Sequence, residues 1–227
     1  MVAKIGIGPD SWGVWFPDEP GQVQWQDFLD QVVAAGYEWI EAGPFGYLPT
    51  DPTVIRDELN SRGLNIIATT VMAGHLENPD DWPRIEKRTL EAGEFGASMD
   101  AKYLVLIDDV YLDLHSGERI CSSALENDSW NRLIDSVNRV ATITKEKFGI
   151  PLTIHPNAET HIETESHLEL ILEQTDPDLV SLCVDTGHLA YTGGDPVSFI
   201  RNHHNRVSYL HLKDIDGQIL EDVRTNN

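Results

Sequence analysis

The feature that most constrains the fold is a series of apolar runs separated by amphipathic stretches, one unit recurring roughly every 30 residues. The seven runs are residues 4–9, 37–43, 64–71, 101–108, 151–156, 179–185 and 207–214. Each run is nearly continuous rather than alternating, as expected of parallel strands that are covered on both faces. The pattern therefore predicts a repeated strand–helix chain with a parallel sheet.

The stretches between the runs carry helical periodicity and helix-end signals. In residues 25–36, the apolar side chains fall on one stripe and Gly36 provides a terminator. The residues of that stripe are Phe28, Leu29, Val32 and Val33. Thr164 opens another helix with a capping pattern, and Asp195 precedes a proline at the first position of a third. These signals predict helices between the strands.

Seven such units predict an α/β fold of the (β/α)8 TIM barrel type, with a doubly wound sheet as the alternative. No linker or change of composition divides the chain, so we expect one domain over residues 1–227. A typical barrel has about 250 residues, and the sequence ends after the seventh unit. We therefore expect a C-terminally incomplete chain without the eighth strand. Such a chain has unpaired sheet edges that favour self-association, and we expect it to be weakly active or inactive.

The charge of the chain argues against two classes of binding partner. The chain has 38 Asp and Glu residues against 16 Lys and Arg residues, a formal charge of −22. A surface this acidic repels phosphate backbones and anionic membranes, so neither nucleic acid nor a membrane is expected as a partner. The first residues lack the apolar segment of a signal peptide, and two isolated cysteines make no disulfide framework. We expect a soluble cytoplasmic protein.

Titratable and polar side chains follow the predicted strands at one end of the sheet. In order along the chain they are Asp10, Ser11, Trp12, Glu41, His75, Glu77, Asp108, Asp109, His155, Asn157, Glu159, Asp185, His188, His211, Lys213 and Asp214. In a barrel, the active site forms where these strand ends meet their loops. Carboxylate oxygen and imidazole nitrogen together bind Mn²⁺, Co²⁺, Zn²⁺ or Mg²⁺. The pattern thus predicts a divalent metal site.

Each of these residues also has a structural interpretation. A single strand-end histidine is more often a hydrogen-bonded packing residue than a ligand. Asp108 and Asp109 can cap the segment that follows them, and Asp185 can form a turn with the Thr-Gly-His that follows it. The joint occurrence of DTGH (185–188) and HLKD (211–214) on successive strand ends favours the metal site.

Five motifs carry a resemblance to a known family. They are SWGVWFP (11–17), EAGPFGYLPTDP (41–52), HPNAETHIET (155–164), VDTGHLAYTGGDP (184–196) and YLHLKD (209–214). The chain resembles the xylose-isomerase-like TIM barrels, which include sugar-phosphate isomerases and epimerases, inosose dehydratases and, further off, AP endonuclease IV. The resemblance covers nearly the whole chain and is closest to the inosose-dehydratase-like branch. Its motifs are specific to the superfamily and not to one substrate.

The resemblance implies a set of metal ligands on strands 5 to 8. Asp185 matches the ligand of strand 6 and His211 the ligand of strand 7. The strand-5 position is normally Glu and is His155 here, so Glu159 or Glu163 are alternative ligands. The position on strand 8 has no counterpart in the sequence.

The resemblance also implies an activity: proton abstraction next to the carbonyl of a sugar, polyol or inosose, through a metal-stabilised enediolate. Reprotonation gives isomerisation or epimerisation, and loss of a β-hydroxyl gives dehydration. Glu41 or Glu163 is the candidate base, and Lys213 is the candidate group that stabilises negative oxygen. The candidate substrate-binding residues are Trp12, His75, Asn157 and His188, with Trp15 and Phe45 as further apolar walls.

Two other functions are alternatives for a chain of this sequence. An enzyme like AP endonuclease IV would need a basic face for nucleic acid, and the charge of −22 counts against it. A non-catalytic sugar-binding barrel is the other alternative.

Overall fold

The structure, a computed structural model, describes residues 3–113 and 115–226. Its strands are β1 (Gly6–Ile7), β2 (Trp39–Glu41), β3 (Asn65–Val71), β4 (Tyr103–Leu106), β5 (Leu152–Ile154), β6 (Val180–Asp185) and β7 (Val207–His211). They form one sheet in the sequential order β1 to β7, and the register is parallel between β1 and β2, β2 and β3, β3 and β4, and β6 and β7. The predicted α/β barrel topology, with seven strands in order, is confirmed.

Eight α-helices follow these strands in the described part of the chain, one after each strand except β6, which is followed by two. They are α1 (Trp25–Ala34), α2 (Pro52–Arg62), α3 (Trp82–Ser98), α4 (Asn127–Phe148), α5 (Glu165–Gln174), α6 (Thr186–Tyr191), α7 (Pro196–His203) and α8 (Gly217–Asn226). A short 3₁₀ helix, Pro9–Trp12, follows β1. None of the described helices is both long and apolar enough to cross a membrane.

The helix-end signals act largely as the sequence predicts. Asp195 accepts hydrogen bonds from the backbone N–H groups of Val197 and Ser198, and Pro196 is the first residue of α7. Thr164 caps α5 by accepting from the N–H of His167. The predicted stripe of α1 is partly wrong, because Val33 is 40% exposed. The buried face of α1 comprises Phe28, Leu29 and Val32, whereas Val33 is exposed to solvent.

The chain divides by its internal contacts into two compact units. The first unit comprises the described residues of Met1–Ala73, Pro83–Leu106 and Val140–Leu152. The second comprises the described residues of Gly74–Trp82, Ile107–Arg139 and Thr153–Asn227. The prediction of a single domain over residues 1–227 stays a prediction.

The first unit has an apolar core on which α1 and α2 pack. Phe28 and Leu29 of α1 and Ile55 of α2 are fully buried there, as is Ile40 of β2. The ring of Trp12 lies edge-on to Phe28, with 4.9 Å between the ring centroids. Burying such side chains contributes roughly 1.5–3 kcal/mol each, so this core fixes the ends of β1 and β2.

In the second unit, β6 is buried: its Leu182, Cys183 and Val184 are 0% exposed. This strand pairs with β7 so that its last residue, Asp185, stands beside His211, the last residue of β7. The strand register therefore places two of the predicted metal ligands side by side at the carboxyl end of the sheet.

Tyr47 gives a test of the packing in the first unit. Its hydroxyl donates to the carbonyl of Val23 at 3.1 Å, and burial, with the negative charge of Asp27, raises the pKa of Tyr47 to about 12. The folded state therefore keeps this phenol neutral while the unfolded state ionises above pH 10. The stability that this phenol contributes is fully present below pH 10 and is lost as the pH rises to 12.

We predict that Tyr47→Phe costs about 1 kcal/mol at pH 8, because the Val23 carbonyl loses its partner. Between pH 10 and 12 the wild type loses up to about 1.4 kcal/mol per pH unit through this group, and the variant does not. Urea unfolding at a series of pH values measures both quantities. Parallel curves for the two proteins would show that Tyr47 titrates as an exposed tyrosine does.

Candidate functional site

Three potential metal ligands lie at the ends of successive strands of the second unit. Asp185 and His211 are the last residues of β6 and β7, and His155 follows β5 directly. Their potential ligand atoms lie within 4.8 Å of one another. His155 and Asp185 are buried, with 3% and 0% of their side chains exposed, whereas 20% of His211 is exposed. We call these three residues the strand-end cluster.

The cluster is centred on one oxygen of Asp185. Its Oδ2 accepts a hydrogen bond from Nζ of Lys213 at 2.6 Å. Nε2 of His155 lies 3.4 Å from the same oxygen and Nδ1 of His211 lies 3.8 Å from it. The structure thus brings together the three residues predicted to bind a metal and Lys213, which is predicted to stabilise negative oxygen. Their roles stay predictions.

The other oxygen of Asp185 has a structural task. Oδ1 accepts from the N–H groups of Gly187 and His188, both at 2.9 Å, and so caps α6. Asp185 therefore combines the two interpretations of the sequence, the turn-forming and the site-forming one. Gly187 must be glycine here, because a Cβ atom would lie 2.6 Å from Cβ of Lys213.

Electrostatics keep Asp185 ionised and His155 neutral. Burial alone would raise the pKa of Asp185, but its contact with His155 and the nearby charge of Lys213 hold the pKa well below its usual value. Burial lowers the pKa of His155, although the contact with Asp185 opposes this. The cluster thus offers one carboxylate and one neutral imidazole in a dry place, which is the protonation state that metal binding requires.

His188 is held as a neutral imidazole in one tautomer. Its Nδ1 accepts from the backbone N–H of Ala158 at 3.0 Å, so its proton is on Nε2. Burial lowers the pKa of His188 to about 4, and the charge of Asp185 offsets this only in part. The ring lies edge-on to His155 with 5.5 Å between centroids. Next to the strand-end cluster, His188 therefore presents an N–H donor.

The loop after β5 carries three more predicted residues. The carboxylate of Glu163 accepts from the hydroxyl of Tyr111 at 3.1 Å and from the N–H of Glu159 at 2.8 Å. Burial and the charge of Glu163 raise the pKa of Tyr111 to about 12, so this hydroxyl remains a donor. The amide of Asn157 donates to the carbonyl of Ala158 and shapes the loop. The roles of Glu163 and Asn157 stay predictions.

A second group of titratable residues lies in the same unit, and we call it the second cluster. It comprises His75, Glu77, Asp108 and His161, whose potential ligand atoms lie within 4.8 Å of one another. Nδ1 of His161 lies 2.9 Å from Oδ2 of Asp108. Burial disfavours the charged ring, but the contact with Asp108 outweighs it and raises the pKa of His161 to about 9. The structure thus places His75, a predicted substrate contact, in this cluster.

Two further candidate site residues, Glu41 and Trp12, belong to the first unit. Glu41 ends β2 and accepts from the hydroxyl of Thr70 at 2.6 Å. Trp12 donates to the side chain of Gln31 at 2.7 Å and packs on Phe28, which is the structural interpretation of this tryptophan. The catalytic role of Glu41 and the substrate contact of Trp12 stay predictions.

Sequence reasoning did not single out His161 or Tyr111. His161 lies in the HPNAETHIET motif, only six positions after His155, and this spacing of two histidines in one strand-end loop was the available signal. Tyr111 lies 52 residues from Glu163, and no local pattern links them. Both were hidden because their partners follow other strands.

The tautomer of His188 can be tested directly. We predict that His188 carries its proton on Nε2 and does not titrate between pH 5 and 8, because its pKa is about 4 and Nδ1 accepts from Ala158. Long-range ¹H–¹⁵N NMR of the labelled protein measures the tautomer, and the variant His188→Asn identifies the resonance. A midpoint near pH 6.5, or a proton on Nδ1, would contradict the described hydrogen bond.

Curated relatives of this chain include inosose dehydratases. A curated relative, the inosose dehydratase of Geobacillus kaustophilus (strain HTA426), is 31% identical over 229 residues, which covers 97% of this chain and 72% of the relative. Other relatives and structural neighbours are named dehydratases and epimerases. The chain is accordingly an enzyme.

Solved structures share the fold at low identity. The probable 3-DHS dehydratase AsbF from Bacillus anthracis has a TM-score of 0.74 at 13% identity, covering 95% of this chain and 74% of that one. The IolI protein, solved with a zinc atom, has a TM-score of 0.71 at 14% identity, covering 94% and 74%. The family described as xylose isomerase-like TIM barrel matches residues 29–224. This chain belongs to that family.

Proposed function

We propose that this enzyme is a metal-dependent lyase of the inosose dehydratase type, which removes a proton next to the carbonyl of a cyclic polyol ketone. The observation that carries the proposal is the convergence of His155 and His211 on one oxygen of Asp185, with Lys213 on the same oxygen. The curated relatives named inosose dehydratase support the substrate class, since they align with 97% of this chain.

The strand-end cluster fits a divalent cation. Two imidazoles and a carboxylate, without a thiolate among them, suit Mn²⁺, Co²⁺, Zn²⁺ or Mg²⁺. All three groups are held by the ends of β5, β6 and β7, so they need no rearrangement of the sheet to share an ion. The zinc atom of the IolI neighbour supports this assignment. When bound by His155, Asp185 and His211, the cation supplies Lewis-acid polarisation of the substrate carbonyl.

Lys213 and His188 orient the substrate and stabilise its negative charge. The ammonium group of Lys213 lies 2.6 Å from Asp185, and its side chain is 36% exposed, so it is accessible from solvent while adjacent to the cluster. There it stabilises the negative oxygen that develops as the proton leaves carbon. The Nε2–H of His188 donates to a substrate hydroxyl, because its Nδ1 is already engaged by Ala158. The two donors together select an oxygen-rich substrate.

The candidate bases are Glu163 and Glu41, and we propose Glu163. Its carboxylate lies in the second unit, in the loop that starts at His155, and Tyr111 and the N–H of Glu159 orient it. Glu163 accepts the proton from carbon and, in dehydration, returns it to the departing β-hydroxyl. The net change is the loss of one water. Return of a proton to the same carbon without that loss gives isomerisation or epimerisation instead, so the first step is shared.

We predict that Asp185→Asn lowers kcat/KM on an inosose by at least about 100-fold and abolishes retention of the metal, because the variant loses the anionic ligand. Proton NMR of the product follows the reaction and separates a dehydrated product from an epimer. His203→Ala is the control: His203 lies on α7, where it packs against Phe199, and its loss should leave both properties intact. Turnover and metal retention equal to those of the wild type in the aspartate variant would exclude the proposed site.

We predict that Glu163→Gln lowers kcat by about 100-fold or more, the usual contribution of a general base, with the metal retained. Stopped assays at saturating inosose measure kcat, and metal analysis of the same samples checks retention. Glu41→Gln is the decisive comparison, since Glu41 is the other candidate base. A large loss in the Glu41 variant with full activity in the Glu163 variant would reverse our assignment.

A further inference from the structure

We propose that the second cluster is a second divalent-cation site, separate from the strand-end cluster. Its residues come from three segments of the second unit: His75 and Glu77 follow β3, Asp108 follows β4, and His161 lies in the loop after β5. It shares no residue with the strand-end cluster. The proposal therefore does not depend on the proposed activity.

The central group of the second cluster is the ring of His161. Its Nδ1 lies 2.9 Å from Oδ2 of Asp108 and 3.4 Å from Oε2 of Glu77. Ligands of a tetrahedral ion with bonds of about 2.0–2.1 Å lie roughly 3.3 Å apart, so these separations bracket the required value. The side chains of His161 and Asp108 are 1% and 0% exposed, and that of Glu77 is 14% exposed. Both separations are compatible with ligands of one ion, and the three side chains are largely shielded from water.

The remote nitrogen of His161 is also arranged as in a metal ligand. Nε2 lies 2.9 Å from the carbonyl oxygen of Ser122, to which it donates. Ligating histidines usually donate their second N–H to a carbonyl or a carboxylate, which fixes the ring and leaves the other nitrogen for the ion. The backbone N–H of His161 donates to Asp108 at 3.1 Å and holds the ring in register with that carboxylate.

Two buried polar atoms of the cluster favour a cation as their partner. Oε2 of Glu77 and Nδ1 of His75 have no hydrogen-bond partner among the described residues. Leaving such atoms unsatisfied costs about 1–3 kcal/mol each, and more for a charged group. A single proton on Nδ1 of His161 can satisfy only one carboxylate well, whereas a divalent cation can be shared by several of the four residues, whose potential ligand atoms lie within 4.8 Å of one another. Two imidazoles and two carboxylates suit Zn²⁺, Co²⁺ or Mn²⁺.

The site has a structural role in the loop that starts at His155. Asp108 is anchored independently, because its Oδ1 accepts from the N–H of Leu76 at 2.8 Å. A cation shared by Asp108 and His161 therefore ties the loop to the segments that follow β3 and β4. Glu163 lies two positions beyond His161. The second cation thus positions the loop that carries the proposed base.

The test is a count of bound Co²⁺ in chelator-stripped protein, measured by metal analysis after equilibration with Co²⁺ and gel filtration. We expect two ions per wild-type chain, one in Glu77→Gln, one in Asp185→Asn and none in the double variant. His203→Ala is the control and should keep two. Glu77→Gln is chosen because it keeps the side-chain shape and leaves the hydrogen bonds of Asp108 in place.

A thermal measurement supports the count. In the Asp185→Asn background, Co²⁺ in large excess should raise the melting temperature by about 5 °C, and this rise should vanish when Glu77→Gln is added. If Glu77→Gln does not fold by circular dichroism, His75→Gln replaces it. At most one ion in the wild type, unchanged by Glu77→Gln or His75→Gln, would overturn the proposal. Two ions in Asp185→Asn would instead remove the strand-end cluster as a metal site, so the two failures are distinguishable.

Discussion

The buried carboxylate of Asp185 is the group on which the rest of the site depends. A charge at 0% exposure costs several kcal/mol unless it is paired and hydrogen-bonded. One oxygen is satisfied by the N–H groups of Gly187 and His188 at the start of α6. The other faces the ammonium group of Lys213 and two imidazoles. The carboxylate can therefore stay ionised in a dry place, which makes it suitable to hold a cation.

The need to neutralise the buried carboxylate of Asp185 accounts for the order of residues in the motifs DTGH (185–188) and HLKD (211–214). The β6–β7 register sets Asp185 beside His211, and Lys213 reaches the same carboxylate from two positions further on. Gly187 allows Lys213 to approach α6 closely, since a Cβ atom at position 187 would lie only 2.6 Å from Cβ of Lys213. The short helix α6 begins directly at Thr186 and returns His188 towards the cluster. The buried charge of Asp185 thus accounts for the residue types of its neighbours His211 and Lys213.

The strand order and the strand-end cluster could be predicted from sequence, whereas the second cluster could be predicted only in part, without His161. Asp185 and His211 end continuous apolar runs, and strand direction alone then brings them to one edge of the sheet. His161 is a loop residue whose partner Asp108 lies 53 positions away, and its orientation depends on the path of the loop. Val33 shows a similar limit of prediction in α1. Sequence periodicity predicts which apolar side chains share one face of the helix, but not how many of them are buried.

The central claim is that His155, Asp185 and His211 share one divalent cation. Anomalous diffraction from crystals grown with Zn²⁺, recorded at the zinc absorption edge, locates such an ion without reference to activity. We predict an anomalous peak about 2.0–2.2 Å from Oδ2 of Asp185, Nε2 of His155 and Nδ1 of His211. Well-ordered side chains at these positions with no peak between them, at a zinc concentration that occupies other sites, would contradict the claim.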